Sequence, residues 1–377
     1  MRDDLPPLID HHCHGVVRRD LDRAEFESLL TEADGPGPLG GTLFDTRAGL
    51  AVRRWCAPVL DLPPHASPDD YLARRAGLGY AEVNRRFLAS AGLDALCVDT
   101  GFNPDGLLDP GELGRLADAT SHEIVRLETL AEGVAARAAS ADAFPDAFRE
   151  ALAERTRNAV GVKSIAAYRA GLDLAGERPD DREVIRAAGR LLRESDGAPR
   201  RNPRVDDPVL HRFLVWCASD LRLPVQFHVG YGDADADLRR GDPLLLTSLL
   251  SELARANTPV LLLHNYPFHR SAGYLAQVFP NVFADVGLAL HGVGDRASVL
   301  LDELLELAPF GKVLYSSDAY GLAEFYHLAA LLFRRALGRI MEEGVSEGSW
   351  TRDDASRLAG LVAAGNARRV YGLDRPE

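Results

Sequence analysis

The amino-acid sequence predicts an α/β chain folded as a (β/α)8 barrel, a TIM barrel, and three observations carry this. Short apolar runs alternate with longer helical patterns eight times, the signature of a parallel sheet. Most of the runs are rich in Val, Leu and Ile, as in strands covered on both faces. Histidine, lysine and aspartate recur within or at the ends of those runs, and the C-terminal ends of barrel strands are where such folds place reactive groups.

The runs in order are Leu8 to His14 (LIDHHCH), Ala95 to Gly101 (ALCVDTG), Glu123 to Thr129 (EIVRLET), and Val160 to Ala167 (VGVKSIAA). They continue with Pro224 to Gly230 (PVQFHVG), Pro259 to Asn265 (PVLLLHN), Asn281 to Leu288 (NVFADVGL) and Lys312 to Asp318 (KVLYSSD). Helical patterns lie between them at Pro145 to Asn158, with proline at a first helical position, at Asp181 to Glu194 and at Leu244 to Ala256. The tail from Thr351 to Tyr371 reads as a closing helix. Spacing is uneven. Residues 33–92 read as a helical insertion after the first strand, lying over the barrel mouth. It holds GPGPLGG, a helical pattern from Thr46 to Ala57 and LPPHASPDDYL. A second insertion spans Ala170 to Leu210. The whole chain, 1–377, is expected to be one domain.

Lys and Arg number 43 against 56 Asp and Glu, a formal charge of -13. That argues against nucleic acid and anionic membranes as partners, since both require a basic face. It leaves a small-molecule substrate as the expected partner, and the long insertion is compatible with a homo-oligomer. The four cysteines, Cys13, Cys56, Cys97 and Cys217, form no CxxC pair, so a disulfide framework is not expected and a reducing cytoplasm fits. MRDDLPPLIDHH lacks the basic start and apolar run of a signal peptide, and no apolar stretch approaches the ~20 residues of a membrane span.

His12 and His14 are two apart on a predicted strand, so both face one side. The same alternation puts Asp10 with them and turns His11 and Cys13 toward the surrounding helices. A lone HxH is a weak sign of a metal site. His228, His264 and Asp318 change the odds, because each ends a later run and all converge on one mouth. An ionisable group buried at the end of an apolar strand is costly unless paired or coordinated. Lys163, in VGVKSIAAY, has three readings: a lysine carbamylated by carbon dioxide, an ammonium that binds a substrate carboxylate, or a structural ion pair with Glu128.

This pattern resembles the amidohydrolase superfamily: Asp-x-His-x-His on the first strand, Lys on the fourth, His on the fifth and sixth, Asp on the eighth. The stretches VKSIAAYRAGL, VQFHVGYGD, LLLHNYPFH, LYSSDAYG and GNARRVYGL are similar, more narrowly, to the amidohydrolase-related (amidohydrolase 2) branch. That branch includes the amidohydrolase-like domain of fungal and plant glutamine synthetase-like fusion proteins. The chain stops soon after GNARRVYGL, so a barrel without the synthetase domain is expected. The resemblance implies that His12 and His14 bind the more buried metal. It further implies that Lys163, if carbamylated, bridges to a second metal held by His228 and His264. Asp318 would bind metal and take a proton from attacking water, with His264 beside it as the second catalytic residue. One or two divalent ions, zinc by its donor preference, would be the cofactor. The implied activity is hydrolysis of a C–N bond in a small, carboxylate-bearing amide. A decarboxylase or uronate-isomerase-like reaction is the alternative, and a non-catalytic binding barrel the reading of another class.

Substrate-side candidates are Tyr168 and Arg169 after the fourth run, Tyr231 after the fifth and His291 after the seventh. Asn265, Tyr266 and His269 follow the sixth. Arg47, Arg53, Arg54 and Trp55 lie in the insertion, Arg53 and Arg54 reading as loop anchors. DADADLRR, Asp233 to Arg240, lacks the central glycine and terminal glutamate of a calcium loop and reads as a solvated loop near the mouth.

Overall fold

A computed structural model describes residues 5–35, 39–102, 106–196 and 203–373. Parts of both insertions, residues 36–38 and 197–202, lie outside the described residues. Seven parallel strands pair in the order of the chain: β1 Leu8–Cys13, β2 Leu93–Asp99, β3 Thr120–Arg126, β4 Ala159–Ser164, β5 Val225–Val229, β6 Val260–His264 and β7 Val282–Ala284. Sequential order with helices between strands is the right-handed crossover arrangement of a curling α/β sheet.

The eighth predicted run does not form a sheet strand. It makes one bridge, Ala284 with Val313, and closes the ring by single hydrogen bonds on both sides. Leu314 N–H donates to Ala284 O at 3.1 Å, His11 N–H to Tyr315 O at 3.1 Å and Asp318 N–H to His12 O at 3.0 Å. The physical reason lies in its last residues. Ser317 donates its N–H to the Asp10 carboxylate at 2.9 Å, and Asp318 sits at a left-handed φ of 50°, which no extended ladder accepts. The third run also ends early. Strand β3 stops at Arg126 and the helix Leu127–Ala135 begins at once, so Glu128 is helical rather than a strand carboxylate.

The interior is filled by Ile9, Ala95, Cys97, Ile124, Leu261, Leu263 and Leu314, joined by Ala364, Ala367 and Tyr371 of the closing segment. That segment is the helix Arg352–Gly360, a wider turn Leu361–Gly365 and the helix Asn366–Tyr371. All four cysteines are free and buried. Among the described residues no helix is long and apolar enough to cross a membrane.

Between β1 and β2 lie the helices Arg23–Ser28, Arg47–Ala51, Pro68–Leu78 and Tyr80–Ser90. One buried ion pair ties them to the long helix Ala323–Ser346: Arg75 Nε meets Glu324 Oε1 at 2.8 Å, with 2% and 0% of the two side chains exposed. The Tyr71 hydroxyl donates to the same oxygen at 3.1 Å. Removing one partner of such a pair strands a charge in the core, whereas replacing both with apolar groups is often neutral. Arg75→Met is therefore expected to lose about 3–5 kcal/mol of stability, read as a lower urea midpoint. Adding Glu324→Met to it should recover most of that loss.

Candidate functional site

Strand β1 does not keep the simple alternation. Its pairing with β2 slips between Asp10 and Cys13, a bulge that adds a residue to one strand. Ile9 therefore belongs to the interior cluster, while Leu8 and Cys13 pack with the outer one. Two of the predicted orientations change. His11 points inward, its Nε2 at 2.8 Å from Asp285 Oδ2 and its Nδ1 at 3.0 Å from the Tyr371 hydroxyl. Asp10 does not join His12 and His14; its carboxylate accepts from Ser317 N–H and, at 2.5 Å, from the Ser317 hydroxyl.

The bulge leaves His12 and His14 aimed at Asp318. Their Nε2 atoms lie 3.1 and 3.3 Å from Asp318 Oδ1. One ligand atom from each of these three residues falls within 4.8 Å of the other two. His264 Nε2 stands 3.5 Å from Asp318 Oδ2. Lys163 Nζ is 3.4 Å from His12 Nε2, and the His228 ring lies 4.7 Å from that of His264. His264 reaches this point because β6 ends in two left-handed residues, His264 at φ 68° and Asn265 at φ 58°. Asp285 holds that turn: its Oδ1 accepts the His264 N–H at 2.7 Å, and the Asn265 amide donates to Asp285 O at 3.0 Å.

Burial first, then Lys163, brings the His12 imidazole down to about 4. The same causes in the same order hold His228 well below its ordinary value. His264 is also held well below, by burial and then by its neighbours His228 and Lys163, against the pull of Asp318. Burial would raise the Asp318 carboxyl, but His264, His12 and His14 together hold it far below the carboxylate range. Burial lowers Lys163 to about 8, against the opposing pull of Asp318 and Asp99. At neutral pH His12, His228 and His264 are thus neutral and Asp318 is ionised, the protonation states a divalent ion requires of such ligands.

Hydrogen bonding supports the same fit. His12 Nδ1 lies 2.8 Å from Gln226 Oε1, so Nδ1 carries the proton and Nε2 presents its lone pair. His228 Nε2, His264 Nε2 and Asp318 Oδ1 are buried with no hydrogen-bond partner. Buried polar atoms are normally satisfied, and several lone pairs turned to one centre match the donor set of zinc or a similar ion.

A buried chain runs behind these ligands. Gln226 Nε2 donates to the Tyr371 hydroxyl and to His11 O, both at 2.8 Å. Tyr371 meets His11, His11 meets Asp285, and Asp285 holds the backbone of His264. The closing helix therefore reaches two candidate ligands from beneath.

A cavity of about 470 Å³ opens over the centre, and His12, His14, Lys163, His228, His264 and Asp318 all line it. Tyr168, Arg169 and His291 line it as well. Tyr231 does not; it lines a neighbouring cavity of about 580 Å³ with Arg47, Tyr266 and His269. Gly230 turns the chain at φ 74°, and Tyr231 N–H then donates to Tyr266 O at 2.7 Å, which carries the ring aside. Glu128 is not the partner of Lys163: its carboxylate accepts from Ser164 Oγ at 2.7 Å and Ile165 N–H at 3.0 Å and faces His211. Arg53 donates to the carbonyls of Ala66 and His65, Arg54 lies over the Trp55 ring, and Arg47 pairs with Asp295. His269 pairs with Glu303.

Sequence reasoning passed over Gln226, Asp285, Arg126 with its partner Asp99, and the cavity residues Glu32, Phe102, Tyr320 and Phe325. Gln226 was within reach, since it precedes His228 by two on the same strand face. Glu32 and Tyr320 gave no local signal.

Two outcomes are expected. Removing an outer hydrogen-bond partner of a metal ligand typically costs ten- to a hundredfold in metal affinity. Gln226→Leu and Tyr371→Phe should each weaken metal binding by about that factor in chelator competition, with circular dichroism unchanged. The second concerns pH. Buried His12 and His291 take up protons only near 4, whereas the unfolded chain does so near 6.5. On these two groups the unfolded state then holds more protons between those values, so their contribution to stability falls as pH drops from about 6.5 to about 4 and is constant above. Thermal midpoints of the metal-free native chain and of His291→Gln across that window isolate it: the native chain should lose more.

Comparison with known proteins agrees with this geometry. The sequence model of the family described as amidohydrolase matches residues 57–373. Protein fluG of Emericella nidulans is 29% identical over 98% of this chain, which spans 46% of that relative's length. A crystal structure of a candidate metal-dependent hydrolase from Lactobacillus casei ATCC 334 shares 31% identity over 98% of this chain and 96% of its own, with a TM-score of 0.82. A uronate isomerase from Thermotoga maritima superposes with a TM-score of 0.63 over 98% of this chain and 95% of its own, at 14% identity, a likeness of fold alone. With the family match covering most of its length, this chain belongs to the amidohydrolase family.

Proposed function

We propose that the chain is a metal-dependent hydrolase that directs water onto the C–N bond of a small, carboxylate-bearing amide. The observation that carries this is the set of ligand atoms of His12, His14 and Asp318 within 4.8 Å of one another, in a cavity that His228 and His264 also line, each with a buried Nε2 that has no hydrogen-bond partner. Family membership and the likeness to the Lactobacillus casei protein support the same reading. A divalent ion, zinc on this donor set, would polarise the substrate carbonyl and make a water nucleophilic near neutral pH. Asp318, ionised and touching three imidazoles, is placed to take a proton from water and pass it to the leaving nitrogen. His264 beside it would hold the developing charge. Arg169 faces Glu132 with its Nη2 at 3.7 Å and has no hydrogen-bond partner at Nε, the edge it would offer a substrate carboxylate, and Tyr168 and His291 would flank the acyl group.

Lys163 decides the metal count. As a carbamate it would bridge two ions; its lowered affinity for protons favours the neutral amine that carbon dioxide requires. The second reading, an isomerase or decarboxylase with a single ion, keeps Lys163 as an amine, with Nζ 3.4 Å from His12 Nε2. Metal analysis separates the two, since two ions per chain support hydrolysis and one ion with an unmodified lysine supports the other.

Metal-loaded protein is expected to retain at least one zinc-like ion per chain and to cleave members of a panel of small amides. Asp318→Asn should lower kcat by about 10²–10⁴-fold, the usual worth of a positioned acid-base group, with the fold intact. Unchanged turnover in that variant would remove Asp318 from the proton transfer, and failure to retain metal would overturn the reading as a whole.

A further inference from the structure

Two guanidinium groups line the cavity, and they enter it from different places. Arg169 follows the short turn Ala166–Tyr168, beyond the end of β4. Arg126 is the last residue of β3 itself. In the ladder it stands opposite Lys163 of β4, and neighbours in register on adjacent strands lie about 4.8 Å apart with their side chains on one face. Lys163 Nζ is 3.4 Å from His12 Nε2. Arg126 therefore enters the cavity one strand away from a side chain that touches the metal centre.

Asp99 fixes how the arginine enters. It ends β2 and pairs in register with Ile124, which belongs to the interior cluster. Arg126, two residues further along β3, shares that face. Asp99 Oδ2 accepts from Arg126 Nε at 3.1 Å and from its Nη2 at 2.6 Å, while Oδ1 accepts from Gly101 N–H at 2.8 Å. The turn at Gly101 presses on the arginine, since a Cβ there would lie 2.0 Å from Arg126 Cβ. Only 12% of the Arg126 side chain and none of the Asp99 side chain is exposed. The guanidinium carbon lies 5.7 Å from the centre of the Phe102 ring.

One edge of the guanidinium is left over. Asp99 takes the edge formed by Nε and Nη2, and with a single oxygen. Among the described residues nothing accepts from Nη1. Nη1 and the second hydrogen of Nη2 form the other fork, two parallel N–H groups spaced for a carboxylate. Phe102 and Tyr320, with ring centres 5.2 Å apart, line the same cavity. Their rings help withdraw the fork from bulk water, where an ion pair is worth more.

We propose that Arg126 is the inner anion-binding residue of the site. An acidic group of the substrate, close to the scissile carbonyl, docks on the Nη1–Nη2 edge while the carbonyl lies over His12, His14 and Asp318. Asp99 is the positioning residue that aims the fork. This rests on the hydrolase reading above and narrows the class of amide it takes, to those with an acidic group only a few bonds from the bond cleaved. Arg169, beyond the strand end, serves carboxylates farther from that bond.

The test uses hydroxamates, which chelate metal and stand in for the scissile carbonyl. Monohydroxamates of straight-chain dicarboxylic acids, from malonic upward, are compared with plain alkyl hydroxamates of equal carbon count by calorimetric titration of the zinc-loaded full chain. At the best length, a short one, the carboxy compound should bind about tenfold or more tightly than its plain counterpart. Arg126→Gln combined with Asp99→Asn removes both charges and strands neither. It should erase the preference while the plain compound still binds, which shows that the variant is folded and loaded. Arg169→Gln should keep the preference. Should the plain compound not bind the double variant, Arg126→Lys reads the same difference, because it keeps a charge against Asp99 but has no fork; an undiminished preference there overturns the proposal. A preference that survives in the double variant, or that disappears in Arg169→Gln, likewise overturns it. So does equal binding of the two series to the native chain, and in each of these cases the hydrolase reading stands. Binding of neither series to the native chain would overturn the metal-centred reading, and the anion site with it.

Discussion

A buried carboxylate set against neutral imidazoles, a combination that calls for a cation, governs this end of the barrel. Asp318 lies against His12, His14 and His264, with little access to water. An ionised group in that setting is tolerable only with partners. Bringing three imidazoles to one carboxylate sets demands on two strands and on the eighth run at once. It needs a bulge in β1, a left-handed exit from β6 and a left-handed Asp318. Each is unfavourable locally, and backbone irregularities of this kind persist where surrounding structure over-determines them.

The over-determination is visible. Asp285 accepts from the N–H groups of His264 and Gly287 with one oxygen and meets His11 with the other. Through Tyr371 and Gln226 the same chain fixes His12. A residue close to the end of the described chain thereby sets the tautomer and angle of a ligand on the first strand. The closing helix does more than cover apolar surface: it completes a polar network in which each group has a partner, the condition under which buried polarity rigidifies a site.

Legibility from sequence followed the regularity of the backbone. Where strands keep period two, as at Gln226 and His228 on β5, the inward face could be read directly. Where they do not, the reading failed. Asp10 and His11 were assigned by an alternation that the bulge interrupts. Tyr231 was expected over the metal centre, but Gly230 turns it into the next cavity. Glu128 was read as strand because an apolar pattern continues past Arg126, and helix follows there without a break. The structure brings His12, His14, His228, His264 and Asp318 to one cavity despite these errors, because recurrence at strand ends depends on topology rather than on side-chain phase. Long-range pairings such as His11 with Asp285 leave no local pattern and become visible only in three dimensions.

Two glycines show how tightly that spacing is held. A Cβ on Gly287 would lie 2.2 Å from Ser316 Oγ and 3.4 Å from His264 Nδ1, and one on Gly232 would lie 1.9 Å from the Tyr168 hydroxyl and 2.9 Å from His228 Nε2. Contacts this short require the neighbour to move. The chain thus passes two imidazoles with bare backbone: a methyl group on Gly232 would displace the Tyr168 and His228 rings, and one on Gly287 would displace the Ser316 hydroxyl beside His264. Gly232 also precedes Asp233 directly. The stretch whose close approach seats Tyr168 against His228 therefore also brings Asp233 to the rim of the same cavity.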